Sequence, residues 1–113
     1  TSVRELIKQY QTELASSADL LPERAAKMLV ELSALKGSVL EEIRNRQGQY
    51  QQVLLLALDN EKSAARAKIK AEASADYQNL LEAKNANEVL TEMIRGLKYF
   101  LREKSIEYRE NSF

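Results

Sequence analysis

Apolar residues recur every three or four positions along most of this chain, which is the spacing of one face of an α-helix. Val3, Leu6, Ile7, Tyr10 and Leu14 trace a first helix over about residues 3–17. Ser16, Ser17 and Asp19 interrupt it, and Pro22 with Glu23 follows. Proline is best tolerated in the first turn of a helix, where its missing N–H had no partner anyway, so a second helix is predicted to start there.

From Pro22 the stripe runs through Ala25, Met28, Leu29, Leu32, Leu35, Val39, Leu40 and Ile43. It continues through Tyr50, Val53, Leu54, Ala57 and Leu58 to Ala64, Ala65 and Ile69, which predicts one helix over 22–72. Unbroken, that helix has about 50 residues and spans ~75 Å at 1.5 Å per residue. It must pack on other chains or break near Gly37 or Gly48, since a mid-helix glycine costs about 1 kcal/mol relative to alanine. The segment Arg44–Gln52 is almost wholly polar, which makes Gly48 the expected bend. Ser74 or Asp76 is placed to cap a third helix over 75–110, traced by Tyr77, Leu80, Leu81, Leu90, Met93, Ile94, Leu97, Phe100, Leu101 and Tyr108. Lys84, Asn87 and Glu88 fall where that stripe calls for apolar side chains. Either a polar seam position fixes register there, or the stripe drifts around the helix.

The predicted fold is all-α: one domain over 1–113 with three helices, a very long central one, and coiled-coil-like packing in an oligomeric helical assembly. Self-association follows from the length of the central stripe, which the rest of one chain cannot cover. The residues expected at the oligomer interface are Leu32, Leu35, Val39, Ile43, Leu54, Leu58, Leu90, Ile94, Leu97 and Leu101.

Composition narrows the chemistry. Hydrophobic residues make up 44% and charged residues 30%, enough apolar surface to give each helix a buried stripe and to exclude a disordered tail. Cysteine and histidine are both absent, which removes disulfides, thiolate nucleophiles, zinc–thiolate sites and the usual general base near neutral pH. No catalytic residue, metal ligand or cofactor is expected, and the chain reads as a non-enzyme. Glu41 with Glu42, Glu88 with Glu92, and Glu103 with Glu107 are the available carboxylate pairs. They sit among polar neighbours, without the desolvated pocket that acid–base work needs, and read as solvated surface. No apolar run approaches the ~20 residues of a membrane span and no signal-peptide core follows Thr1, which points to the cytosol. A chain opening at Thr1 is expected to have lost at least its initiator methionine.

Seventeen basic side chains balance seventeen acidic ones, so no global field draws in a polyanion and any such role rests on local charge. Two local groups stand out: Lys62, Arg66, Lys68 and Lys70, then Arg95, Lys98, Arg102 and Lys104. Spacing by four puts Lys62, Arg66 and Lys70 along one helical face, and spacing by three and four does the same for Arg95, Lys98 and Arg102. Such ridges can neutralise successive phosphates, the alanines between the first group let a strand approach, and Tyr99, Phe100 and Tyr108 offer stacking beside the second. The plainer reading is a solvated face, with Glu92, Glu103 and Glu107 near enough to pair with these cations. Tyr99 and Phe100 are adjacent, so one of them must point away from the core.

The segment KSAARAKIKAEAS closing the long helix, the short break, the Tyr77, Leu80, Leu81 start of the last helix and its close IRGLKYFLREK together resemble the UvsY-like phage recombination mediators. The resemblance covers about the last half of the chain and is an order of features with no diagnostic motif. It implies an all-helical homo-oligomer in the host-cell cytoplasm that binds single-stranded DNA and helps load a recombinase onto strands coated by single-strand binding protein. On that resemblance Lys62, Arg66, Lys68, Lys70, Arg95, Lys98 and Arg102 are the expected DNA-binding residues. The chain departs from the family in its neutral total charge and in lacking an aromatic-rich approach to the basic helix. The alternative, from a different class, is a helical adaptor or chaperone that holds a partner protein through apolar grooves around Leu54, Leu58, Leu97 and Leu101, without nucleic acid.

Overall fold

The computed structural model describes residues 2–16 and 19–111. It contains four helices: α1 (Val3–Ser16), α2 (Pro22–Asn60), α3 (Ala64–Glu72) and α4 (Ala75–Asn111). Among the described residues there is no strand, as the helical spacing required. Ser17, the predicted last residue of the first helix, lies outside the described residues. Pro22 opens α2 as expected, with the Ala25 N–H donating to the Leu21 carbonyl at 2.9 Å.

The predicted helix over 22–72 is not one helix. The helix stops at residues 61–63, and α2 stays helical through both Gly37 and Gly48. Local hydrogen bonding accounts for the break. At the end of α2 the Asn60 side-chain amide donates to the Leu56 carbonyl at 2.9 Å, and the Glu61 N–H donates to Ala57. Ser63 has extended backbone and its hydroxyl accepts from the Arg66 N–H at 3.2 Å, so it caps a new helix. Glycine carries only a propensity penalty of about 1 kcal/mol, with no competing hydrogen bond to end the helix. With 39 residues, α2 spans ~58 Å, and the argument for self-association from a ~75 Å helix no longer applies.

Two residues, Ala73 and Ser74, separate α3 from α4. Of the two candidate caps Ser74 is the one used: its hydroxyl accepts from the Tyr77 N–H at 3.2 Å and donates to the Ala71 carbonyl at 2.5 Å. It thereby serves the end of one helix and the start of the next.

The chain forms two compact units, residues 1–37 with 88–113, and residues 38–87. In the first, α1 runs antiparallel to the start of α2, because Tyr10 meets Glu31 while Glu13, further along α1, meets the earlier Arg24. Its buried side chains are large: Ile7, Met28, Leu32, Leu90, Ile94 and Leu97, with Ala25. Arg24 donates from Nε and Nη2 to the two carboxylate oxygens of Glu13 at 2.8 and 2.7 Å and lies 3.6 Å from Glu31. The Arg24 hydrogen bonds hold the Glu13 carboxyl below its ordinary range and raise the guanidinium in turn. Tyr10 donates to Glu31, which pushes its phenol up, with burial adding to the effect.

The second unit has a different interior. Its buried residues are Val39, Ala57, Ala67, Ala71, Leu80 and Ala83, four of the six being alanine. The Tyr50 and Tyr77 rings, 5.0 Å apart and tilted by 31°, join α2 to α4 within it, and desolvation raises the Tyr50 phenol.

The question of a polar break in the last helix resolves toward a continuous seam. Leu80, Ala83, Leu90, Ile94 and Leu97 are buried, and half-buried Asn87 occupies the intervening position at the same three-and-four spacing. Lys84 and Glu88 are exposed beside it.

Candidate nucleic-acid interface

α3 is a nine-residue helix with Ala67 and Ala71, four apart, as its buried edge. Methyl side chains at both positions keep its backbone near its neighbours, and the rest of its circumference is solvent-facing. Arg66 and Lys70, also four apart, lie together on one exposed flank, Lys68 lies on the other, and Ile69 projects between them at 69% exposure. Lys62 is exposed too, but it precedes the Ser63 cap. The expected ridge of three therefore reduces to Arg66 and Lys70, because spacing by four aligns residues only inside a helix.

Lys70 Nζ lies 3.3 Å from Glu61 Oε1 across the corner that begins α3. Among the described residues Lys62, Arg66 and Lys68 form no ion pair with any acid of the chain. Three of the four cations in this group thus keep their charge uncompensated at short range, and a fourth is shared with one carboxylate.

In α4 the outcome is divided. Arg95 donates to Glu92 at 2.6 Å and Lys104 pairs with Glu107 at 3.2 Å while sitting 5.6 Å from the centre of the Phe100 ring. Among the described residues Lys98 and Arg102 form no ion pair, and both are exposed. Tyr99 is the outward member of the adjacent aromatics at 64% exposure, and Phe100 is half-buried. Tyr108 is exposed as well. Lys62, Arg66, Lys68 and Lys70 belong to the unit formed by residues 38–87, whereas Arg95, Lys98 and Arg102 belong to the other.

The residues expected at an oligomer interface divide by burial. Leu32, Val39, Leu90, Ile94 and Leu97 are buried within the chain itself, so covering them needs no second copy. Leu35, Ile43, Leu54 and Leu101 are half-buried, and Leu58 is exposed. The most exposed aliphatic side chains lie outside that set: Leu55 and Leu56 on α2, Ile69 on α3, and Leu21 and Val30 in the first unit. Period counting missed Leu55 and Leu56 because an apolar run, Val53–Leu58, fills every face of a helix and only one can be inward.

The paired carboxylates behave as surface. Glu41, Glu88, Glu92, Glu103 and Glu107 are exposed, and half-buried Glu42 sits 3.6 Å from Arg46. Among the described residues no group of three or more acidic side chains is placed to hold a metal ion, and no helix is long and apolar enough to cross a membrane.

Comparison of the chain with protein-family models, with curated protein sequences and with solved structures gave no match. No family is assigned.

Proposed function

We propose that this chain binds single-stranded nucleic acid through backbone phosphates, with some stacking and no reading of base sequence, as an accessory protein of phage-type DNA recombination or replication. The observation that carries the reading is the exposed α3 corner, where Lys62, Arg66 and Lys68 lack acidic partners and Lys70 has one. Three uncompensated cations over seven residues make a local positive surface on a chain of zero net charge, and phosphate is the ligand that such a surface takes most generally. Lys98 and Arg102, with exposed Tyr99 between them in sequence, supply a second surface of charge and stacking. Arg95 contributes least, since Glu92 already holds it.

On this reading the partners are single-stranded DNA, a recombinase and single-strand binding protein, met by a homo-oligomer in the cytoplasm of the host cell. Helping to load the recombinase is the role implied by the resemblance to UvsY-like mediators. Fluorescence anisotropy of a labelled oligonucleotide, scanned over salt, tests the binding step: affinity must fall steeply as salt rises, because each neutralised phosphate releases counterions. Absence of binding at low salt ends the reading.

A second reading, a helical adaptor that holds a protein partner, draws support from the exposure of Leu55 and Leu56, 62% and 63%, with Ile69 at 69% in the same unit. The groove expected around Leu97 is not part of it, because Leu97 is buried. The double variant Arg66→Ala, Lys70→Ala separates the two: the adaptor keeps its function, and the nucleic-acid binder loses affinity.

A further inference from the structure

The end of α4 carries charge on a face that the chain leaves bare. Every residue from Arg102 to Glu110 is exposed, although the helix continues to Asn111. A helix of nine successive exposed residues has no packing from its own chain to hold it, and short helices without packing are marginal in water.

The sequence of that segment is ordered around the helix. Taking Ile106 as the reference and advancing about 100° per residue, Tyr99 lies about 20° away on the same outward line. Arg102 and Arg109 fall about 40–60° to one side, and Glu103 and Glu110 fall about 40–60° to the other. The pattern extends toward the helix start with Arg95 on the basic side and Glu92 on the acidic side, and the two pair across the line at 2.6 Å. The buried residues Leu90, Ile94 and Leu97 lie about 120–180° away, on the opposite face. Over residues 99–110 α4 therefore has an apolar line, Tyr99 at 64% and Ile106 at 42% exposure, with one acidic and one basic margin, and nearer the helix start the same line carries exposed Glu88 and Arg95. Among the described residues Arg102, Glu103, Arg109 and Glu110 form no ion pair within the chain.

We propose that this face binds the same face of a second copy of the chain, with the two α4 helices parallel and in register. Charge complementarity selects both the partner and the direction. A two-fold axis parallel to the helices exchanges left and right, so the acidic margin of each copy lies on the basic margin of the other. Antiparallel helices related by a two-fold axis would set acid against acid and base against base. Tyr99 then packs on Tyr99 and Ile106 on Ile106, and the paired margins fix the register. Pairing also supplies the packing that this helix end lacks in its own chain.

This pairing covers Tyr99 and Arg102 and so takes them from the second nucleic-acid surface, leaving the α3 corner that carries that reading untouched; its test contains no nucleic acid. Mass is measured by light scattering on the full chain over a concentration series at low salt. The wild-type chain is expected to reach twice the chain mass. The variants Arg102→Glu with Arg109→Glu, and Glu103→Arg with Glu110→Arg, are each expected to stay at one chain mass, and their equimolar mixture to recover twice that mass. Unchanged helical circular dichroism certifies the folding of each variant, as expected for exposed residues without partners. The contacting face is read by disulfide formation, which is clean because the chain has no native cysteine. Tyr99→Cys should cross-link rapidly and Ser105→Cys, about 100° off the line, slowly. A single chain mass for the wild type throughout, failure of the mixture to assemble, or equal cross-linking at the two positions overturns the proposal.

Discussion

The two units are both helical and are filled in opposite ways. Residues 1–37 with 88–113 bury Met28, Leu32, Leu90 and Leu97, with Ile7 from α1 among them, whereas residues 38–87 bury mainly alanine, at positions 57, 67, 71 and 83. A leucine or methionine removed from water contributes about 1.5–3 kcal/mol, and an alanine methyl far less, so the first unit has the larger hydrophobic driving force. The second gains close approach of backbones instead, and it is the one that carries the exposed cations of α3.

Truncating a large core side chain should show the greatest effect. Leu32→Ala and Leu90→Ala, both fully buried, are expected to cost about 2–5 kcal/mol each in urea denaturation. An effect below about 1 kcal/mol would mean that the first unit is not packed as described. The alanine interior makes the opposite demand. Ala67→Leu should destabilise by about 1–3 kcal/mol through overpacking, while Ala65→Leu on the exposed side of α3 should be close to neutral, and equal effects at the two sites would contradict the inward assignment. Removing the α3 cap is smaller: Ser63→Ala is expected to cost about 1 kcal/mol and to speed amide hydrogen exchange in Arg66 before any in α1. Gly48→Ala reverses the sign, because an added Cβ meets nothing within 4 Å, and should stabilise by about 0.5–1 kcal/mol.

The smallest effect expected is on pH dependence. The Glu13 carboxyl is held low in the folded chain by Arg24, so the unfolded chain binds the proton first as pH falls. The contribution of the pair is present above the unfolded carboxylate range, about 4.3, and is lost as pH drops through the lower folded value. Both side chains are more than a third exposed, so solvent screening keeps the contribution small. Denaturation midpoints followed from pH 6 to pH 2 should fall less in Glu13→Gln than in the wild type.

The helical class, the start of α2 at Pro22, the extent of α4 and its Ser74 cap were legible in the sequence because periodicity and capping chemistry agree there. The break at 61–63 was not, since the apolar period runs through it: Ala64, Ala65 and Ile69 continue the count, yet all three are exposed. The local signal was present in Asp59, Asn60 and Ser63, residues that compete with the helix backbone for hydrogen bonds. Gly48 drew the prediction of a bend by its propensity, a penalty of about 1 kcal/mol that does not interrupt the 39-residue α2. For the candidate site, residue type located the cations, but only coordinates separate Arg95, held by Glu92, from Arg66 and Lys68, held by nothing among the described residues.

The most direct test of the proposed function is the salt dependence of single-stranded DNA binding in the wild type and in Arg66→Ala with Lys70→Ala. Each phosphate contact on a single strand contributes about 0.7 to the slope of log affinity against log salt, so loss of two should lower its magnitude by about 1.4. Wild-type binding with that reduction in the variant is the result predicted. A slope identical in the two proteins, or no wild-type binding at low salt, would contradict the account.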